Sequence, residues 1–179
     1  MGVALCLRFM IGFVFFVSGL AKLRSNRRFH RALGGYVLLR GRPKVRRALG
    51  RTIPVIEVAL GVLVGSARLG GVASLAAGGT LLAPFTLAIA VNARQGVQSS
   101  CGCGIGDAAT DWISVGRNLV LIASLVAAAA ISPTATVADS DLTASNIAGL
   151  AVLAAVLALI VMLIPTVLAE INHQLEHVA

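Results

Sequence analysis

Two cysteines separated by one glycine are the residues of this sequence best suited to chemistry. Cys101-Gly102-Cys103 lies in a glycine-rich stretch between two apolar segments. A disulfide between these thiols would close a small, tight ring, and Gly102 gives the backbone the freedom to form it. Such a strained disulfide has a more oxidising potential than a structural one and adds little stability. The spacing therefore favours a redox pair, with a metal-binding pair and an incidental pair as the alternatives.

A metal site is the second chemistry open to these thiols. His173 and His177 are four residues apart near the carboxyl end, so on a helix they share a face. Together with Cys101 and Cys103 they have the ligand types of a tetrahedral zinc site. The ligand spacing of a zinc finger is absent, and a terminal histidine pair is more typical of a solvated helix end. Cys6 is alone in an apolar segment, where a free thiol behaves as a small hydrophobe.

Three charged residues lie in or beside apolar segments. Glu57 lies within the second segment, where a carboxylate is costly and is therefore a functional candidate. Lys22 follows the first segment and can pair with Glu57, either as an interfacial ion pair or as part of a proton-handling group beside the thiols. Arg117 opens the fourth segment, where it can snorkel, pair with an acid or favour the thiolate form of a cysteine.

Five apolar segments must position these residues: 3–20, 53–69, 72–91, 112–131 and 147–168. Each is near the roughly 20 residues that a helix needs to cross a bilayer. None has a polar face, as is typical of helices surrounded by lipid or by other helices. We predict an all-α fold, a polytopic membrane helix bundle of four to five transmembrane helices. Residues 1–131 form one membrane domain, and residues 132–179 add an external loop, a further helix and a short tail.

The second segment is short and starts beside Pro54, which suits an early helix position. The first segment is a retained span rather than a cleaved signal peptide, because its positive cluster follows the apolar run instead of preceding it.

Composition supports a membrane protein. Of 179 residues, 58% are hydrophobic and 12% are charged, whereas soluble domains usually carry about 25% charged residues. An ordinary soluble enzyme and a disordered chain are therefore excluded. The sequence has no nucleotide-binding glycine motif, no Gly-x-Ser-x-Gly and no haem histidine pair, so we predict no cofactor and no hydrolase or nucleotide-dependent activity. A thiol–disulfide relay is the one enzymatic possibility.

The net charge of +8 would suggest a nucleic-acid partner, but its distribution argues against one. Eleven of the fifteen basic residues, and no acid, lie in residues 22–51. This basic segment is typical of a cytoplasmic loop in a multi-pass plasma-membrane protein. Anchoring to anionic lipid of the bilayer is the main interpretation of its arginines, and a docking site for a protein or nucleic acid is the second. Residues 35–39 are apolar and predict a short interfacial helix.

Orientation follows by alternation of the five segments. The amino terminus, the turn near residue 70 and the loop at 132–145 are then external. The basic segment, the cysteine segment at 92–111 and the carboxyl tail are cytoplasmic.

Three motifs share the order and spacing of one known family: Phe-Val-Ser-Gly-Leu-Ala-Lys-Leu at 16–23 followed by Phe29 and Tyr36, Ile-Pro-Val-Ile-Glu at 53–57 followed by Gly61, and Cys-Gly-Cys-Gly at 101–104 followed by Arg117-Asn118. Over roughly residues 3–131 the sequence resembles the MauE family, within the wider DoxX/MauE group of redox-associated membrane proteins. The family pattern is Cys-Gly-Cys-Phe-Gly, whereas Gly104-Ile105-Gly106 follows the second cysteine here, so the aromatic residue is missing.

The resemblance implies a multi-pass helical protein associated with methylamine utilisation. In that family the protein is expected to help mature the disulfide-rich small subunit of methylamine dehydrogenase, an exported client, with a thioredoxin-like partner. The resemblance implies Cys101 and Cys103 as the redox pair and marks Lys22 and Glu57 as motif residues. A non-catalytic scaffold that recruits a soluble partner through the basic segment is the alternative, and a metal-handling protein is a further one.

The predicted sidedness of the cysteine segment conflicts with the function that the resemblance implies. Client disulfides form outside the cytoplasm, whereas alternation places the cysteine segment inside. Either the protein relays reducing equivalents from a cytoplasmic donor, or the second apolar segment is re-entrant and the cysteines face outward. We adopt the cytoplasmic placement as the prediction.

Overall fold

The computed structural model describes residues 2–66, 71–97, 112–131 and 144–176, with the backbone alone for residues 2, 144–147, 164–166 and 168–176. These residues form six α-helices and one 3₁₀ turn, and no strand is present among them. The elements are α1 (Gly2–Arg24), α2 (Asn26–Gly35), the 3₁₀ turn (Val37–Leu39), α3 (Pro43–Gly65), α4 (Gly71–Arg94), α5 (Trp112–Ile131) and α6 (Ala144–Glu176). The predicted all-α fold is confirmed.

Four of these helices, α1, α3, α4 and α5, are long and apolar enough to cross a membrane. Helix α6 contains a shorter apolar stretch, Ala148–Leu163, within the described residues. Large apolar side chains cover the outward faces of the bundle, with Val126, Val152 and Leu87 more than half exposed. In water such surfaces would be unfavourable, whereas in a bilayer they contact acyl chains. The predicted membrane bundle of four to five helices is confirmed.

Helix α3 begins ten residues earlier than the sequence predicts. It starts at Pro43, includes the basic residues 44–51 and ends at Gly65, so the predicted bounds of 53–69 are wrong. Pro43 suits the first helical position, and arginine and lysine are good helix formers. Pro54 lies inside the helix, where its missing N–H leaves the carbonyl of Gly50 without its usual helical donor. With 23 residues, α3 is about 35 Å long, and it has the length and hydropathy of a helix that can cross a bilayer.

The short helix predicted at residues 35–39 is present only as a 3₁₀ turn of three residues, Val37–Leu39. The helix in this region is α2, which ends at Gly35, and residues 37–39 form a single 3₁₀ turn. Helix α2 is amphipathic, with its basic residues outward and Phe29 and Leu33 buried. Its apolar face packs on α3, and its buried residues belong to a cluster that also includes Tyr36, Ile89 of α4 and Val115 of α5. Part of the basic segment is therefore folded onto the bundle.

The contact between α1 and α3 is close because glycines form it. A Cβ atom added to Gly12 would lie 2.7 Å from the Cα of Gly65, and one added to Gly61 would lie 2.6 Å from the nitrogen of Phe16. A Cβ on Gly19 would lie 2.8 Å from the carbonyl oxygen of Pro54. Small residues permit such close approach between membrane helices, where van der Waals packing drives association. Polar side chains on the two helices can therefore meet directly.

The remaining core lies where α1 packs against α4, α5 and α6. Ile11, Phe15, Leu125 and Ala158 are buried together there. At the end of α1 far from α2, the buried guanidinium of Arg8 donates a hydrogen bond of 2.7 Å to the carbonyl oxygen of Gly71, the first residue of α4. The two ends of the bundle therefore differ, with Arg8 at one end and the basic segment at the other.

Candidate functional site

An ion pair between α1 and α3 is the centre of the site. Lys22 Nζ is in direct contact with Glu57 Oε1 and also donates a hydrogen bond of 3.1 Å to Ser18 Oγ. Lys22 is 1% exposed and Glu57 is 7% exposed. The structure thus brings together the two residues that the sequence suggested as partners, and it buries them inside the bundle. Burying a single charged group is costly, so direct contact between an amine and a carboxyl group lets each offset the cost of burying the other.

Aromatic rings enclose the ammonium group on two further sides. Lys22 Nζ lies 5.5 Å from the ring centroid of Phe29 on α2 and 5.3 Å from that of Phe85 on α4. Both distances suit a cation–π contact, which strengthens when the cation is desolvated. The ring of Tyr36 packs on Phe85 with centroids 5.9 Å apart. Four elements therefore converge on one lysine.

A small cavity adjoins the ion pair. Its polar wall consists of Ser18, Glu57, Arg117 and Asn118, and apolar side chains of α1, α3, α4, α5 and α6 complete it. Its volume of about 30 Å³ is enough for one or two water molecules. The cavity brings Arg117, the third charged residue singled out from the sequence, to the same place as the ion pair.

Arg117 and Asn118 are linked to each other on α5. Arg117 Nη2 donates a hydrogen bond of 3.3 Å to Asn118 Oδ1. Asn118 is 2% exposed, and its Nδ2 has no acceptor within the part of the chain that the structure describes. We call Ser18, Lys22, Glu57, Arg117 and Asn118 the polar cluster. It is a concentration of charged and hydrogen-bonding groups inside an apolar bundle, where such groups are costly.

Cys101 and Cys103 lie outside the described residues, and so do the other residues of the segment 98–111. The described chain before and after this segment lies beside α2. Asn92, near the end of α4, accepts a hydrogen bond of 3.0 Å from the Val37 nitrogen and donates one of 3.4 Å to the Gly35 carbonyl oxygen. Val115, in the first turn of α5, packs in the cluster that contains Phe29. The cysteine segment is therefore attached at the end of the bundle that carries α2.

The metal alternative gains no support from the described residues, where no group of three or more His, Cys, Asp or Glu side chains gathers. His177 lies outside those residues, and for His173 only the backbone is described. Cys6 is a free thiol on α1, partly buried against the apolar core.

Sequence reasoning did not identify every member of the site. Ser18 precedes Lys22 by four residues, so helical spacing alone would have placed it beside the lysine. Asn92 stands near the end of an apolar segment, where an uncharged polar residue is a weak signal. Phe85 carries no signal, because its contact with Lys22 depends on how α4 packs against α3 and α5.

Comparison with known proteins agrees with the resemblance that the three sequence motifs indicated. The model of the MauE family, described as methylamine utilisation protein MauE, matches residues 2–132. No curated protein and no solved structure gives a significant match. The matched region contains α1 to α5 and every residue of the polar cluster. Because this match covers well over half of the sequence, the chain belongs to the MauE family, and its apolar helices identify it as a membrane protein of that family.

Proposed function

We propose that this protein is a membrane thiol–disulfide relay that supports the maturation of an exported protein, with Cys101 and Cys103 as the redox pair. The observation that carries the proposal is the polar cluster, which lies in the bundle whose α4 and α5 are joined by the cysteine segment. Charged groups inside a membrane protein mark functional sites by default, because burying them is costly. Family membership adds the expectation that the client belongs to methylamine metabolism and is the small subunit of methylamine dehydrogenase.

Sidedness sets the direction of the relay. Helices α3 and α4 each have the length and hydropathy to cross the membrane, so the cysteine segment belongs on the same side as the basic segment, which the positive-inside rule assigns to the cytoplasm. A thioredoxin-like dithiol of the reducing cytoplasm is then the donor. Its thiolate attacks the Cys101–Cys103 disulfide, and a mixed disulfide forms. The second donor thiolate then releases the pair as a dithiol.

Two electrons and two protons pass to the protein in that exchange, and the donor leaves as a disulfide. Cys101 and Cys103 then reduce the disulfide of a further partner on the route to the client, which takes both electrons and both protons. Attack by either cysteine requires its thiolate form, because the thiolate is the nucleophile in disulfide exchange.

The polar cluster assists this exchange in two ways. Arg117 follows the first residue of α5 by five positions, about 7.5 Å along the helix, and its positive charge favours a thiolate near that end. Glu57, which is paired with Lys22, borders a cavity that can hold water, and this arrangement can take up and return the protons that the thiols exchange. We assign Cys101 and Cys103 the redox step, and Lys22, Glu57 and Arg117 supporting roles.

Thiol trapping tests the redox step. In a Cys6→Ala background, cells are quenched with acid and the protein is treated with a mass-tagged maleimide before and after reduction. We expect a fraction that accepts no tag until it is reduced and then accepts two. Cys101→Ser or Cys103→Ser leaves a single thiol, and one of these variants is expected to accumulate a reducible mixed disulfide with a partner. Two thiols that stay fully tagged in active cells would overturn the relay, and unchanged client maturation in the double variant would favour a scaffold.

A membrane-impermeant thiol reagent tests the sidedness independently. We expect Cys101 and Cys103 to be protected in intact cells and labelled after permeabilisation. Lys44→Cys on the basic segment should behave in the same way, whereas Ser140→Cys in the predicted external loop should be labelled without permeabilisation. Labelling of the native cysteines in intact cells would contradict the cytoplasmic placement and would require an external donor.

A further inference from the structure

A wide groove between α2 and the first turns of α3 has no part in the proposed relay. Its volume is about 590 Å³, which is within the usual range of sites for small molecules. The basic side chains that line it are His30, Arg31, Arg46, Arg47 and Arg51. We call this feature the cationic groove. The chain brings it together from two helices, so it is a property of the fold and not of one run of arginines.

The described part of the chain supplies no counter-charge to these arginines. Glu57 is the only acid among the side chains that the structure describes, and it is paired with Lys22. The basic segment itself, residues 22–51, contains no acid. Four guanidinium groups that converge on one groove repel one another, and a bound anion would relieve that repulsion.

A phosphate group is the anion that this arrangement suits best. Guanidinium groups present their N–H donors as planar forks, which match pairs of phosphate oxygens. Pro43, the first residue of α3, also lines the groove. The amino-terminal end of α3 therefore adds its positive dipole to the charges of the arginines.

The face of α3 beyond the groove indicates a lipid as the source of that phosphate. Four residues beyond Arg51 lies Val55, and Val62 follows seven residues later, so the three share one face of the helix. Val55 is 58% exposed and Val62 is 52% exposed. An apolar strip thus begins one turn beyond the groove, in the part of α3 that crosses the membrane. An amphiphile with an anionic head and an acyl chain can contact both the cationic groove and the apolar strip, whereas a soluble phosphate can contact only the groove.

We propose that the cationic groove is a binding site for the phosphate headgroup of an anionic phospholipid, with an acyl chain of that lipid along Val55 and Val62. The site is distinct from diffuse attraction of the basic segment to a charged membrane. Diffuse attraction depends on the number of charges, whereas the groove depends on which arginines carry them. That difference can be measured with variants that lose equal charge.

The test titrates the full-length protein, purified in a non-ionic detergent, with phosphatidylglycerol and counts bound lipid by native mass spectrometry. Replacing three groove residues, Arg31→Gln, Arg46→Gln and Arg47→Gln, should weaken binding about tenfold or more, because direct charge-assisted bonds to phosphate are lost. The matched variant replaces three exposed basic residues outside the groove, Arg27→Gln, Arg40→Gln and Lys44→Gln. It removes the same charge and should weaken binding less than about threefold.

A second variant of the groove keeps the positive charge, so that a loss of binding can be distinguished from a loss of folding. The combined changes Arg31→Lys, Arg46→Lys and Arg47→Lys retain three positive charges but lose the forked donors. They should weaken binding about threefold with an unchanged melting temperature. Phosphatidylcholine should bind at least about tenfold more weakly than phosphatidylglycerol to the unaltered protein. Equal losses in the two glutamine variants would overturn the proposal, and so would full affinity of the lysine variant. Displacement of the lipid by millimolar inorganic phosphate would also overturn it and point to a soluble ligand.

Discussion

Removing the charge of Glu57 should destabilise the protein more than removing both charges of the ion pair. In Glu57→Gln the shape is kept, and Lys22 becomes a buried cation without its carboxylate. Breaking a buried pair at one side costs about 3–5 kcal/mol. The hydrogen bond to Ser18 and the two rings within 5.5 Å remain, so we expect the lower end of that range, about 3 kcal/mol of unfolding free energy.

The opposite substitution should cost more. Lys22→Met keeps an unbranched side chain of similar length and leaves the carboxylate of Glu57 7% exposed and without its cation. No ring compensates a carboxylate, because the face of an aromatic ring is negative. We therefore expect about 4–5 kcal/mol for this variant. The double variant buries no charge, and its remaining cost of about 1–2 kcal/mol comes from one poorly satisfied amide.

The measurement is reversible unfolding in detergent mixtures of increasing denaturing strength, with helical circular dichroism as the readout. Lys44→Met is the matched control, because Lys44 is an exposed lysine in the first turn of α3, and it should change stability by less than about 0.5 kcal/mol. Ser18→Ala should cost about 1 kcal/mol with Lys22 present and almost nothing in Lys22→Met. A double variant whose loss equals the sum of the two single losses would refute the coupling, since independent sites add.

Three further predictions concern the packing that holds the site. Gly61→Ala places a methyl group within 2.6 Å of α1 and should cost about 1–3 kcal/mol, whereas Gly79→Ala, with nothing within 4 Å, should leave unfolding free energy unchanged or slightly higher. Arg8→Met removes the 2.7 Å hydrogen bond to Gly71 and should cost about 1.5–3 kcal/mol in the same unfolding assay, and no loss would mean that this bond is not stabilising. Asn92→Leu removes both bonds to the segment before α3 and should raise amide hydrogen exchange at residues 26–39 at least about tenfold, while exchange in α1 stays constant.

Features that follow from burying charges in a bilayer could be predicted from the sequence, whereas features that depend on tertiary packing could not. Charges in apolar segments must be compensated, and for that reason Lys22 and Glu57 could be proposed as partners across 35 positions of sequence. The start of α3 could not be found in this way. Hydropathy changes where the arginines end, but a helix continues wherever its backbone hydrogen bonds and propensities allow. The helix therefore extends back through the basic residues to Pro43.

Contacts that join distant elements had no local signal. Phe85 approaches Lys22 because α4 packs against α3 and α5, which both contact α1, and the sequence around it does not differ from the rest of an apolar segment. The cationic groove likewise combines arginines from α2 and α3, which the sequence shows only as one basic run. The redox assignment of Cys101 and Cys103, by contrast, rests on their spacing and on the family, because they lie outside the described residues.

The double variant of the ion pair can separate two roles that a single substitution confuses. If Lys22 and Glu57 serve only to hold α1 against α3, Lys22→Met with Glu57→Gln should restore most of the stability lost by either change and restore the relay with it. If the pair also handles protons for the thiols, the double variant should be folded and still slow in the redox exchange of Cys101 and Cys103. Stability and thiol trapping measured on the same three variants distinguish these cases. A double variant that is both stable and fully active would mean that the ion pair serves only to pack α1 against α3. The residues proposed to take part in the redox exchange would then be the two cysteines and Arg117.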